Sequence, residues 1–377
     1  MLYLLVLLGF ILGIFFEKNK LVYFLQLLIL WIMLGWSYGN ADYQNYLTRY
    51  ELYDSQALAD QSEWLFVQLF KLGNKLGLTY QEYLPILALI YIIALVVVIK
   101  KISPNPSFVL SMYMIFPACM EATQIRFAFA GIFVLIGFTI LFNDKIKFGE
   151  LKFALCVIVG ALLHIGVIVF LAMIPIRWLT RKKALFYTLF LAAVVTTLGL
   201  GGMRIIISLF PGMLSKFTGA IGKYSLDTVV YWIGVQIFLW IFFIIMVKVA
   251  ENFYKHNKMA YQNQYFEYIV RAGIISAVAI PVTYFFQDVY RIQQCLCILY
   301  FCALSWAFPE GIMVNQGQLK FSFTKNKIIF LIGCIVFTFS YLFIIVLSSS
   351  NINTVFVPYF EENIFVDFIK WKLAGGL

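Results

Sequence analysis

The sequence predicts an all-α, polytopic integral membrane protein, and three observations lead there. Of its 377 residues, 63% are hydrophobic and 12% are charged, about half of the roughly 25% charge of a soluble domain. The apolar residues come in unbroken runs, such as Tyr83–Ile99, Thr228–Val247 and Ile328–Leu347, each long enough at about 1.5 Å per residue to cross or nearly cross a bilayer. The short polar–apolar alternation of a transmembrane β-barrel is missing.

Taken in order, the first run, Met1–Phe16, has no basic residue ahead of it and no small-residue cleavage site, so it reads as a retained anchor. Basic clusters recur at Lys18/Lys20, Lys100/Lys101, Lys145/Lys147/Lys152, Arg177/Arg181/Lys182/Lys183, Lys248/Lys255/Lys258 and Lys320/Lys325/Lys327. The intervening segments are acidic or poor in cations: Gly39–Ser62 carries Asp42, Glu51, Asp54 and Asp60 against Arg49. The positive-inside rule puts the basic clusters in the cytoplasm and the other segments outside. The net charge of +10 is thereby read as topology, not as a nucleic-acid surface.

One run resists simple counting. Phe153–Ile176 lies between two basic clusters; with both in the cytoplasm it enters and leaves on one side, as two arms of about twelve residues too short to span alone, whereas the alternative, one long tilted span, puts a basic cluster outside against the positive-inside rule. His164, between Gly160 and Gly166, is the expected apex. The layout is a single transmembrane domain over 1–377, with about eleven or twelve membrane segments and both termini outside. It has an outer loop over 39–81, a second over 201–227 and a tail over 348–377. Within the first loop, Glu63–Gly77 has one apolar face and Lys71/Lys75 on another, the pattern of a helix lying in the interface. The six cysteines lie in apolar stretches without metal-ligand spacing and read as buried thiols.

Several polar residues then meet the outer boundary. Arg126 opens the run "IRFAFAGIFVLIGF", Asp288 and Arg291 open "DVYRIQQCLCILYF" with Gln294 one turn on, and Arg204 closes "GLGGMR". Asp42, Glu63 and Glu121 lie on outer segments. Three arginines at one boundary suit a diphosphate, because each guanidinium stays charged and offers forked donors. The residues also permit simpler readings: Arg126 snorkelling to headgroups, Arg204 as an interface anchor, and Asp288 pairing with Arg291 three residues on. Arg271, four residues after Glu267, reads as a paired or snorkelling residue. His164 is an intramembrane histidine beside glycines, a functional candidate by default, though a helix-bridging hydrogen bond is also open to it. P-loop, dinucleotide, zinc-protease and serine-hydrolase signatures are absent.

In order along the chain, "GNADYQNYLTRYE" (Gly39–Glu51), "EWLFVQLFKLGNKLGLTYQEY" after it, "QIRFAFA" (Gln124–Ala130), "ALLHIGVIVFL" (Ala161–Leu171), "VYRI" (Val289–Ile292) and "VPYF" (Val357–Phe360) resemble the EpsG/Wzy class of bacterial polysaccharide polymerases, over about residues 20 to 365. The chain departs from that pattern in three places. Gly39 stands three residues before Asp42 where the family has two. Phe127 replaces a Gln after the arginine, and Gly166 replaces a Ser two after the histidine.

The resemblance implies a GT-C-like glycosyltransferase in the bacterial inner membrane with its site on the outer face. It would transfer a growing glycan from undecaprenyl diphosphate to the non-reducing end of the next lipid-linked repeat unit, using no nucleotide sugar, cofactor or metal. Asp42, Glu63 and His164 are the expected catalytic residues. Arg126, Arg291 and Arg204 are the expected diphosphate ligands, supported by Glu121, Asp288 and Gln294. The expected partners are lipid-linked donor and acceptor, the bilayer and a chain-length regulator. A lipid-linked oligosaccharide flippase and an O-antigen-ligase-like transferase are the alternatives.

Overall fold

The computed structural model describes residues 2–16, 18–39, 41–52, 63–197, 226–256, 264–284, 289–306, 314–315, 318–319, 325–346 and 352–373. Among these, the chain is a bundle of helices with one two-residue antiparallel ladder, Val314–Asn315 against Gln318–Leu319. Three stretches, Tyr80–Ile102, Asp227–Lys248 and Gln264–Thr283, are individually long and apolar enough to cross a membrane, and several shorter apolar helices pack around them. The all-α polytopic membrane class holds.

Helices α1 (Leu2–Phe15) and α2 (Lys20–Gly35) are followed by two short amphipathic helices, α3 (Tyr43–Glu51) and α4 (Trp64–Lys75). The segment expected to lie in the interface forms α4. It buries Phe66, Phe70 and Gly73 and exposes Trp64 and Leu72. Its apolar stripe seats on α3, with Tyr46 against Phe66 at 5.9 Å and Tyr50 against Phe70 at 5.3 Å between ring centroids. Aromatic pairs at such spacing prefer tilted and edge-to-face arrangements, as seen here.

The core of the site end is built on α5 (Tyr80–Ile102), α6 (Pro106–Ile115), the six-residue α7 (Ala118–Thr123) and α8 (Ile125–Leu141). α9 (Gly149–Leu163) runs antiparallel to α8. A Cβ on Gly137 would meet Phe153 and Cys156, and one on Gly160 would lie 2.8 Å from the Ala130 carbonyl oxygen. Small residues on both helices thus let the backbones approach, which is how helices associate where no hydrophobic driving force separates protein from lipid.

The expected hairpin is present, with arms of a different kind. At His164 the backbone becomes extended (φ −153°, ψ 113°), and a 3-10 arm, Ile165–Arg177, returns beside α9. Its last residue closes the base: Arg177 donates to the carbonyls of Leu141 (2.6 Å), Asn143 (2.7 Å) and Ile140 (3.0 Å) and reaches Glu150 at 3.4 Å. Arg177 therefore caps α8 and fixes both flanks of the hairpin at one end of the bundle. The arms begin four residues earlier than expected, and the second rises about 2.0 Å per residue in 3-10 form. A 13-residue 3-10 arm is thus about 26 Å long, nearly the hydrocarbon thickness.

Beyond the hairpin come α10 (Arg181–Thr197), α11 (Leu226–His256), α12 (Gln264–Ile275), α13 (Ala279–Thr283), α14 (Tyr290–Ser305) and α15 (Lys325–Val346). At the Arg177 end, Glu267 pairs with Arg181, at 2.5 Å, and not with Arg271; Arg181 also binds Glu251. Arg271 donates to the Ile176 carbonyl at 3.3 Å and lies over the Tyr268 ring. The tail folds back: α16 (Val357–Glu361) and α17 (Ile364–Leu373) pin the exit of α2, with Asn363 donating to the Ile32 carbonyl at 3.0 Å and Tyr38 to Asp367 at 2.7 Å. Arg204, Asp288, Asp54, Asp60 and most of the 201–227 loop lie outside the described residues.

Candidate active site

Arg126 sits in the first turn of α8, where the helix dipole disfavours a cation. Two contacts offset this. The Glu63 carboxylate forms an ion pair with its Nη1, both side chains being largely withdrawn from solvent. The Tyr46 and Phe66 rings lie 5.6 and 5.9 Å from the guanidinium carbon, within cation–π range. Glu63 holds the N-cap position of α4: its backbone carbonyl accepts from Phe66 (3.2 Å) and Val67 (3.4 Å), while its side chain leaves the cap for Arg126. The pair spans 63 residues of sequence and replaces the snorkelling alternative. Among the described residues, the Arg126 Nε has no hydrogen-bond partner.

A second arginine joins this group, and the sequence reading missed it. Arg49 on α3 is half-buried within electrostatic reach of Arg126, Glu63, Tyr46 and Asp42; burial, and then the Arg126 charge, push its guanidinium below the usual range. The signal was present in the spacing, since Asp42, Tyr46 and Arg49 follow at four and three residues and share one helical face. Asp42 begins α3 and accepts from Asn45 at 3.5 Å. Two cations and two carboxylates thus gather between α3, α4 and α8.

The second group forms where the hairpin turns. His164 ends α9 and caps the 3-10 arm: its Nδ1 accepts the Gly166 backbone N–H at 3.0 Å. A side-chain acceptor at this position satisfies one of the arm's otherwise unpaired amides. Gly166 leaves the ring room, since a Cβ there would lie 3.0 Å from His164 Cε1 and 3.1 Å from Nδ1. From the start of α14, Arg291 brings Nη1 to 3.4 Å from His164 Nε2.

The two groups are joined through Phe127. This buried residue, next in sequence to Arg126, packs its ring edge-on against His164 with centroids 5.6 Å apart. Asp42, Glu63, Arg126, His164 and Arg291 therefore belong to one end of the bundle.

The supporting residues divide. Gln294, one turn beyond Arg291, is fully buried, and among the described residues neither atom of its amide has a hydrogen-bond partner. Glu121 turns inward instead: it is buried and accepts from Tyr113 at 2.5 Å and from Tyr91, beside an apolar pocket lined by Leu84, Ile125, Ala128 and Phe129. It forms a sealed carboxyl–tyrosine cluster among α5, α6 and α7 and takes no described contact from Arg126 or Arg291. No group of three His, Cys, Asp or Glu residues among the described residues is placed to hold a metal ion.

Comparison with curated proteins and with solved structures returns no match. The family model of the EpsG family, however, matches residues 20–360, which includes every element that carries the two groups around Phe127. The chain belongs to the EpsG family.

Proposed function

We propose that this protein polymerises undecaprenyl-diphosphate-linked repeat units into a surface polysaccharide, at a site on the outer face of the bacterial inner membrane. The observation that carries the reading is the gathering of Arg126–Glu63 and His164–Arg291 around Phe127, in a membrane chain of a family associated with polysaccharide polymerisation.

In the proposed reaction, the bond between the donor's anomeric carbon and its diphosphate breaks. A bond forms from that carbon to a hydroxyl at the non-reducing end of the acceptor unit. The diphosphate leaves on its lipid, and the hydroxyl proton passes to Asp42, Glu63 or His164. Charge builds on the leaving diphosphate at the transition state. Preorganised cations in a site of low dielectric stabilise such charge more than water does. Because the donor carries its own leaving group, no nucleotide sugar enters.

The test is to incubate the purified protein in nanodiscs with a lipid-linked repeat unit alone. A ladder of longer glycans supports the proposal. Unchanged substrate that crosses the bilayer of a liposome identifies a flippase, and glycan transferred only to a different acceptor identifies a ligase.

A further inference from the structure

In α17, Val366 is buried in the core, while Ile364, Phe368 and Trp371 are 36, 54 and 52% exposed. Spaced at four and three residues, these three form one apolar stripe on the face turned away from the bundle. Phe368 and Trp371 pack on each other within it, ring centroids 6.3 Å apart. Lys372 lies over the Trp371 ring at 4.9 Å, and Lys370 reaches Asp367 at 4.0 Å. Trp and Phe on one face with lysines beside them is the composition of a helix that lies on a membrane surface.

The hydrogen bonds of α17 set its depth. Asn363 caps it, with Oδ1 accepting from Phe365 at 3.0 Å and Val366 at 3.4 Å, and donates Nδ2 to the Ile32 carbonyl in the last turn of α2. Trp31 and Trp36 meet edge-on at this level, the aromatic marking of a bilayer boundary. One turn along α17, Asp367 accepts from Tyr38, which lies beyond the end of α2. The helix therefore does not run back down α2 into the hydrocarbon, where Asp367, Lys370 and Lys372 would be costly. Raised into water, it would leave its apolar stripe wet. Lying along the boundary meets both constraints, with the rings toward the acyl chains and the lysines at the phosphates.

The start of α17 is also tied to the chain that enters the candidate site. Ser37 and Asn363 form an antiparallel bridge, in which Tyr38 N–H donates to the Glu362 carbonyl at 3.0 Å and Ile364 N–H to that of Trp36 at 3.1 Å. Gly39 makes room for the Glu362 side chain, with which a Cβ would collide. Asp42 stands three residues further on, at the start of α3, which carries Tyr46 and Arg49.

We infer that α17 is a phospholipid-docking helix, with its Ile364–Phe368–Trp371 stripe seated in the bilayer boundary. Docked there, it straps the 36–39 stretch and so positions Asp42. The effect of the strap on glycan elongation rests on the proposed polymerase reading; the docking to lipid does not.

The test uses the full-length protein in phosphatidylglycerol nanodiscs, spin-labelled at one position at a time through Ile364→Cys, Phe368→Cys, Trp371→Cys or Lys370→Cys. A Cys156→Ser background removes the one native thiol that is not buried. Labels at 364, 368 and 371 should collide more with dissolved oxygen than with a water-soluble nickel chelate, and the label at 370 the reverse. Stripe labels more open to the nickel chelate than to oxygen overturn the docking, because the face is then in water. Stripe labels shielded from both reagents also overturn it, because a second copy of the chain then covers the stripe. For the strap, Phe368→Glu combined with Trp371→Glu should raise amide exchange over 36–42 by about tenfold or more. The same pair should slow elongation by about tenfold, the scale of loss when a positioned group shifts slightly, with little change in melting temperature. Phe368→Leu combined with Trp371→Leu should restore both. Unchanged exchange over 36–42 in the Glu pair, or no recovery in the Leu pair, overturns the strap. Label accessibility and amide exchange are read without glycan synthesis, so their failure is distinct from failure of the polymerase reading.

Discussion

Phe127 and His164 meet edge to face, ring planes at 88° and centroids 5.6 Å apart. This contact makes one site of two charged groups that the chain builds separately. Phe127 follows Arg126, so any shift of α8 that moves the Arg126–Glu63 pair also moves the ring against which His164 is set. The Phe where the resembled family has Gln is thus a packing residue in this chain.

Phe127→Leu should leave the fold intact and loosen His164. A displacement of about 1 Å in a positioned group costs up to about 10²-fold in rate. We expect elongation to fall by about tenfold or more while the melting temperature changes little, measured by glycan ladders beside thermal unfolding in detergent. Unaltered elongation would show that the ring contact does no positioning.

Breaking the Arg126–Glu63 pair from one side leaves a buried charge behind. Arg126→Gln or Glu63→Gln alone should destabilise by about 3–5 kcal/mol, and the double variant by clearly less than the sum of the two, because neither charge then remains unpaired. A double-mutant cycle on thermal or denaturant unfolding measures this coupling. Additive losses would mean that the pair is not formed.

At the hairpin base, Arg177→Lys should fail to rescue what Arg177→Ala loses. One ammonium has three donors on a flexible stem and cannot reproduce a planar guanidinium shared among the Ile140, Leu141 and Asn143 carbonyls and Glu150. Both variants should expose the 143–152 segment to proteolysis. Wild-type resistance in the Lys variant would count against the cap.

Gly160→Val and Gly166→Ala act on the same histidine from two sides. A Cβ at 160 presses on the Ala130 carbonyl and separates α9 from α8, whereas one at 166 presses on the His164 ring. Gly160→Val should reduce both stability and elongation. Gly166→Ala should reduce elongation with a smaller loss of stability. Equal effects of the two on unfolding would remove the distinction.

Tyr38, beyond the end of α2, gives a pH signature. Its hydrogen bond to Asp367, together with burial and the nearby Asp367 and Glu362 charges, pushes the hydroxyl up to about 12. A raised value means that the folded state holds the proton more tightly. The bond's contribution is therefore complete below about pH 10 and is lost as pH rises through about 12. The 364–373 helix should become protease-sensitive over that window in wild type. In Tyr38→Phe its sensitivity should not depend on pH there; identical profiles would dismiss the contact.

The sequence by itself determined the class, because long apolar runs have no other stable form than spanning helices. It also located the hairpin. Basic flanks at 145–152 and 177–183 forced a return, and a histidine between two glycines marked the turn. The small residues Ala130 and Gly137 stand where α9 approaches α8 closely. What only the tertiary structure decided is who meets whom. Glu63 reaches Arg126, and Arg49 joins them, through contacts that sequence separation hides. Glu267 is taken by Arg181, whose several donors serve two carboxylates, although the spacing to Arg271 looked right for a helical pair. Glu121 turns inward to two tyrosines. Charges pair by distance through space in a low dielectric, and a linear sequence carries no such distances.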